Sequence, residues 1–134
     1  MRKPAVVLDT NVLISSLWPN RCWETVKRWR DGYFTLAVSP AVLEEYLDVL
    51  GRFVTKELLA EWRLLLTDPS HVTLVEPIES INAVENDPED NKFIECAVAA
   101  QAACIISGDS DLLSLITFRN IAILTPAVFL KQTP

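Results

Sequence analysis

The sequence predicts an α/β protein: a three-layer α/β/α sandwich around a five-stranded parallel sheet, organised as one domain over residues 1–134. Three observations predict it. Short apolar runs recur that are too hydrophobic for a sheet with one wet face. Between them lie stretches whose apolar residues repeat at helical spacing. Turn and capping residues separate the two kinds of segment, so strands alternate with helices, the pattern of a parallel sheet covered on both sides.

Taken in order, Ala5-Val6-Val7-Leu8 is the first strand, broken by the polar, turn-prone Asp9-Thr10-Asn11. Val12 to Trp18 predicts a short helix stopped near Pro19. Trp23, Val26 and Trp29 recur at helical spacing within Cys22 to Arg30, with Gly32 as the stop. Phe34 to Val38 is the second strand. Ser39-Pro40 then opens a helix, serine as N-cap and proline at the first helical position. Its stripe is Val42, Leu43, Tyr46, Leu47, Val49 and Leu50, ending near Gly51. Thr55 caps another helix running to about Thr67, and Val72 to Val75 is the third strand. Pro77 to Asn86 shows no period and reads as a connection. Asp87-Pro88 repeats the cap-plus-proline signal before a helix reaching Ala102. Cys104 to Ser107 is the fourth strand, Asp111 to Leu115 a short helix, Ile121 to Leu124 the fifth strand, and Pro126 to Lys131 the last helix.

The totals narrow the chemistry. No apolar run approaches the roughly 20 residues that span a bilayer, and the start, Met1-Arg2-Lys3-Pro4, does not read as a secretory signal. The expectation is a cytoplasmic protein without a membrane. Cys22, Cys96 and Cys104 fit no zinc spacing and read as reduced thiols, and the single histidine, His71, follows the turn signal Asp68-Pro69-Ser70. A Ser-His-Asp or Cys-His mechanism therefore has no support. With three glycines there is no phosphate-binding loop. The net charge of −6 lacks the overall basic footprint of a phosphate-gripping protein, though Arg21, Lys27, Arg28 and Arg30 cluster as a candidate RNA contact. Four tryptophans, Trp18 among them beside a helix break, predict apolar surface that a homodimer would cover.

In open parallel sheets ligands bind outside the carboxyl ends of the strands. Asp9 follows strand one, and Asp109 and Asp111 follow strand four, at the same edge. Asp87 and Asp90 open the helix leading into strand four, and Glu44 and Glu45 lie one turn inside the helix after strand two. Uncompensated carboxylates gathered in one cleft repel unless a cation neutralises them. Mg²⁺ or Mn²⁺, hard ions that take oxygen ligands, fit this set, and Asn11 and Ser107 can add neutral oxygens or orient the acids. Such an ion can activate water for phosphodiester hydrolysis without a histidine or lysine base.

The series Val7-Leu8-Asp9-Thr10-Asn11-Val12, Ser39-Pro40 with Glu44-Glu45-Tyr46-Leu47, Asp87-Pro88-Glu89-Asp90-Asn91-Lys92-Phe93, and Ile106-Ser107-Gly108-Asp109-Ser110-Asp111-Leu112-Leu113 resembles the PIN-domain ribonuclease family. The tail, Leu124-Thr125-Pro126-Ala127-Val128-Phe129-Leu130, is similar to the end of its small prokaryotic members. The resemblance implies metal-dependent cleavage of single-stranded RNA and, in the prokaryotic branch, a VapC-like toxin restrained by a small antitoxin protein. It assigns Asp9, Glu45, Asp90 and Asp109 as the catalytic acids, with Asp111 as an additional metal-binding acid beside Asp9, Asp90 and Asp109. Asp87 becomes the helix cap, with approach to the metal as its alternative, and Thr10, Asn11, Ser39, Asn91 and Ser107 become supporting polar residues.

Other readings fit less well. A haloacid-dehalogenase-type phosphatase needs a second acid two residues after the first, where this chain has Asn11. A receiver domain needs a lysine after its last strand, where Thr125-Pro126 stands. An RNA-processing nuclease without an antitoxin, or a non-catalytic nucleic-acid-binding module, is the alternative reading.

Overall fold

A computed structural model describes residues 3–132; the two residues at each end of the expected 1–134 domain, including the Met1-Arg2 start, lie outside the described residues. Six strands form one sheet: β1 (Ala5–Leu8), β2 (Thr35–Val38), β3 (Val72–Leu74), β4 (Cys104–Ile106), β5 (Thr117–Phe118) and β6 (Ile121–Leu124), in the order β3-β2-β1-β4-β6-β5. The five expected strands are all present and parallel. The sixth, β5, corrects the strand count: it is a two-residue edge strand antiparallel to β6. Arg119 and Asn120 both have positive φ, 49° and 69°, which makes the two-residue connection of a tight hairpin. Ile116 also has positive φ, 63°, and this turn-in chain left no strand-length run to read.

Val6, Val7 and Leu8 are all buried. Successive strand residues point to opposite faces, so β1 is covered on both. Seven helices among the described residues supply the cover: α1 (Thr10–Ser15), α2 (Arg21–Arg30), α3 (Pro40–Leu50), α4 (Lys56–Leu66), α5 (Asn91–Ala100), α6 (Ser110–Leu113) and α7 (Pro126–Gln132). Helix α5 packs on β1, β2 and β4 and meets α3, while α2 packs on α7.

The starts follow the capping chemistry. Asn20 accepts from the Cys22 and Trp23 amides, Ser39 Oγ from Val42, and Thr55 Oγ1 from Leu58. Asp9 accepts from the Asn11 amide, which starts α1 two residues before the expected Val12. Asp87 departs from expectation. Its side chain caps nothing, because Pro88 opens a 3-10 turn, Pro88–Asp90, that precedes α5. The residue before a proline is held extended, and Asp87 sits at φ −145°, ψ 83°, its carboxylate turned to other use.

Of the tryptophans, Trp29 and Trp62 are buried, whereas Trp18 and Trp23 are 51% and 47% exposed. His71 accepts the Trp29 indole N–H on its carbonyl and places its ring Nδ1 3.1 Å from Asp68, a structural role. The three cysteines are free thiols; Cys96 and Cys104 are buried and Cys22 is half-buried. No helix among the described residues is long and apolar enough to cross a membrane.

Candidate active site

Parallel pairing of β1 with β4 brings the loops after them together. The Asp9 amide donates to the Ile106 carbonyl at 2.9 Å, just past the last strand pair, Leu8 with Ile106. Fully buried Ser107 then ties the two loops: its hydroxyl donates to Asp9 Oδ2 at 2.8 Å and accepts from the Asp109 amide at 2.9 Å. Asp109 Oδ1 accepts from the Asp111 amide at 2.8 Å, capping α6. Asp9 and Asp109 are thus helix caps whose carboxylates are held at the carboxyl edge of the sheet. Burial pushes the Asp9 carboxyl above its ordinary pKa; Ser107 and the Asn11 amide pull against that, and the charges of Asp109 and Glu45 add to it.

Glu45 reaches the same edge from α3. Tyr46, fully buried beside it, donates its hydroxyl to the Leu8 carbonyl and so pins α3 to the end of β1. Thr10 donates its hydroxyl to Glu45 Oε2, and Lys92 places its ammonium 2.8 Å from Glu45 Oε1. Burial works against the Lys92 ammonium, yet Glu45 and Glu89 outweigh it and hold its pKa above the ordinary value. Sequence reasoning passed over Lys92. The available signal was its place in the first turn of α5, two residues after Asp90.

Asp90 is buried, and its Oδ2 has no hydrogen-bond partner. One ligand oxygen each from Asp87, Asp90 and Asp109 lies within 4.8 Å of the others. Burial, then the neighbouring Asp109, then the charges of Asp9, Asp109 and Asp87 push the Asp90 carboxyl up to about 8. An orphaned buried carboxylate oxygen costs on the order of 1–3 kcal/mol or more, and like charges around it add to that cost. The donor set is all oxygen. Both facts fit a hard divalent cation.

The structure therefore brings Asp9, Glu45, Asp90 and Asp109 to one edge together with Asp87, whose carboxylate joins the cluster instead of capping the helix. It does not bring Asp111 into the triad. Asp111 lines a cleft with Ala83, Val84, Glu85, Asn86 and Ser114, and Asn86 is next in the chain to Asp87. Asn11 contributes its amide to Asp9. Ser39 caps α3 and hydrogen-bonds buried Cys96, whose thiol burial pushes up to about 11. Asn91 Oδ1 accepts from the amides of Ala83 and Val84, at 3.0 and 2.7 Å, fastening the segment before Asp87. The basic residues of α2 divide between two faces. At about 100° per residue, Arg21 and Arg28 share one face of the helix, while Lys27 and Arg30 share another and line one cleft. Lys27 pairs with Asp31 at 2.7 Å, and Arg28 borders an apolar cavity of about 430 Å³ near α7.

Solved structures share this architecture. VapBC2 from Rickettsia felis, crystallised bound to a DNA fragment from their promoter, is similar at a TM-score of 0.55 and 14% identity, over 89% of this chain and 96% of that one. FitAcB from Neisseria gonorrhoeae is similar at 0.52 and 13% identity, over 91% and 98%. No curated protein sequence matches. At these identities the likeness speaks for the fold. The sequence profile of the PIN domain family matches residues 5–111, a stretch that runs from β1 through the acids at the sheet edge into α6, and the chain belongs to that family of nucleases.

Proposed function

We propose that this protein is a divalent-metal-dependent endoribonuclease that hydrolyses phosphodiester bonds in single-stranded RNA. It works in the cytoplasm as the toxin of a toxin–antitoxin pair, restrained by a small antitoxin protein. The observation that carries the nuclease reading is the unpartnered Asp90 Oδ2 inside a triad of carboxylates at the carboxyl edge of the sheet. Asp87, Asp90 and Asp109 would hold Mg²⁺ or Mn²⁺, with Asp9 beside them. A divalent ion so held supplies an activated water and neutralises charge building on phosphate oxygens. The remaining side chains fix geometry: Ser107 aims Asp9 and anchors the Asp109 backbone, and Thr10 with Lys92 orients Glu45. The basic residues of α2, Arg21 foremost at its start, are the candidate contacts to the RNA backbone. Labelled single-stranded RNA should be cut in Mg²⁺ or Mn²⁺ and left whole in chelator. RNA that stays whole in both metals, or is cut equally in chelator, overturns this reading.

The toxin role is supported by the resemblance of the motif series to small prokaryotic members and by the likeness of fold to the VapBC2 protein. A short upstream gene whose product co-purifies with this chain and blocks RNA cleavage is the expected finding. Failure of any neighbouring product to do so favours an RNA-processing role.

Self-association is proposed on the exposed aromatic surface. Trp18 and Phe53 meet edge to face at 6.0 Å, both more than half exposed, with Trp23 and Leu58 also exposed. Light scattering at about 30 µM, where weak dimers populate, is expected to give twice the 15.0 kDa chain mass. A monomer mass under those conditions counts against a homodimer.

A further inference from the structure

The carboxylates at the sheet edge divide into two groups by what their oxygens already touch. Glu45 has a donor on each oxygen, one of them a cation: Oε1 accepts from Lys92 Nζ at 2.8 Å and Oε2 from the Thr10 hydroxyl. Asp9 is likewise engaged on both oxygens, by the Asn11 amide at 3.3 Å and the Ser107 hydroxyl at 2.8 Å. Asp90 Oδ2, by contrast, is buried with no hydrogen-bond partner, and one carboxylate oxygen each from Asp87, Asp90 and Asp109 lie within 4.8 Å of one another. The side chains of Lys92 and Glu45 are 19% and 25% exposed, so water screens this pair little. Detaching Glu45 to ligate an ion would strand a partly buried ammonium, which is strongly unfavourable. Glu89, the other acid near Lys92, stands at 3.3 Å and is 84% exposed, so it is a poor substitute partner.

A two-ion phosphodiesterase site needs carboxylate oxygens open on both sides of ions roughly 3.5–4 Å apart. Here one side is open and the other is closed by a lysine. We propose that Lys92 restricts this protein to a single divalent cation, held by Asp87, Asp90 and Asp109, by supplying at Glu45 the positive charge that a second cation would bring. The inference rests on the metal-dependent reading above and goes beyond it in assigning ion number, an added ligand in Asp87, and a role for Lys92. Lys92 is a positioning residue: it acts through Glu45 and sets the charge of that side of the cleft.

The test counts ions and needs no RNA. Mn²⁺ binding to the full chain is followed by the loss of the free-ion electron paramagnetic resonance signal. The wild type is expected to bind one Mn²⁺ per chain. Asp87→Asn and Asp90→Asn should each weaken that binding roughly tenfold or more, whereas Glu45→Gln should leave it within about threefold. Lys92→Met should bind a second Mn²⁺, lost again when Glu45→Gln is added; Lys92→Arg, which keeps the charge, should bind one. Circular dichroism checks each fold, and Lys92→Gln replaces Lys92→Met if the latter does not fold. Wild type binding two ions, one of them lost in Glu45→Gln, overturns the proposal without any lysine variant. So do wild type binding none, Asp87→Asn binding unchanged, and a folded Lys92→Met binding only one. A chain that binds one Mn²⁺ in this pattern yet cuts no RNA would uphold the proposal and remove the nuclease reading.

Discussion

Asp90→Asn is expected to slow RNA cleavage in Mg²⁺ by roughly a thousandfold, about 4 kcal/mol of transition-state stabilisation, and Asp9→Asn and Asp109→Asn should fall in the same range. The substitutions isolate charge from shape. Asparagine in place of Asp109 keeps an oxygen to accept from the Asp111 amide, and in place of Asp9 one to accept from the Asn11 amide, so both caps survive. Asp90 makes no capping bond at all. What is lost is the negative charge that recruits the ion. Glu57→Gln, in the exposed first turn of α4, serves as the control and should cleave as the wild type does. Initial rates on a labelled single-stranded RNA give the comparison; less than a tenfold loss in all three acid variants would show that the cluster is not where the chemistry happens.

The same residue should have the opposite effect on stability. In the ion-free protein the Asp90 carboxyl is raised from 3.8 to about 8. Its folded-state pKa therefore lies above the unfolded one, and between those values the folded state holds a proton that the unfolded state has released. The stabilisation is complete below the unfolded value and is lost as pH rises through the folded one. Asp9, also raised, carries the same sign. In chelator, wild type should lose melting temperature as pH climbs toward 8, and Asp90→Asn, which cannot titrate, should melt higher than wild type at pH 8. Mn²⁺ should reverse the order. An ion that binds only the folded form at a hundred times its dissociation constant adds about 2.7 kcal/mol, roughly 5–10 °C for a chain of this size, and Asp90→Asn should gain little of it. Thermal melts across pH 5–9 with chelator and with Mn²⁺ decide the matter. If the variant melts lower in chelator and wild type ignores Mn²⁺, Asp90 is a structural acid.

The strands and the edge they share were legible because each is a short apolar run and parallel pairing leaves little freedom in where the loops emerge. Asp9 and Asp109 could be placed together from that rule alone. Residues whose role depends on side-chain direction were harder. Asp87 precedes a proline, which reads as a cap, but the 3-10 turn rotates its carboxylate away from the helix and toward Asp90. Asp111 is two residues from Asp109 and gives it a backbone amide, a contact that depends on the local turn and not on the side chain. Lys92 shares a turn with Asp90, but its partner Glu45 is 47 positions away, a pairing no local pattern announces. The basic run on α2 was visible as composition, and only helical geometry shows that it divides between two faces.

The connection between β3 and Asp87 has no backbone ladder of its own beyond the Val75 amide on the Val38 carbonyl. Its amides are fastened by side chains of α5: Ile81 to Glu95 at 2.9 Å, and Ala83 and Val84 to Asn91. Asn91 directly follows Asp90. Segments of this kind open as units, with a free energy set by their few anchors rather than by the global fold. The amides of Ala83 and Val84 thus report on the first turn of α5 from a distance. Hydrogen–deuterium exchange there should slow when Mn²⁺ firms that turn, so that a stretch of chain contributing nothing to the cleft becomes the readiest gauge of whether the cleft is filled.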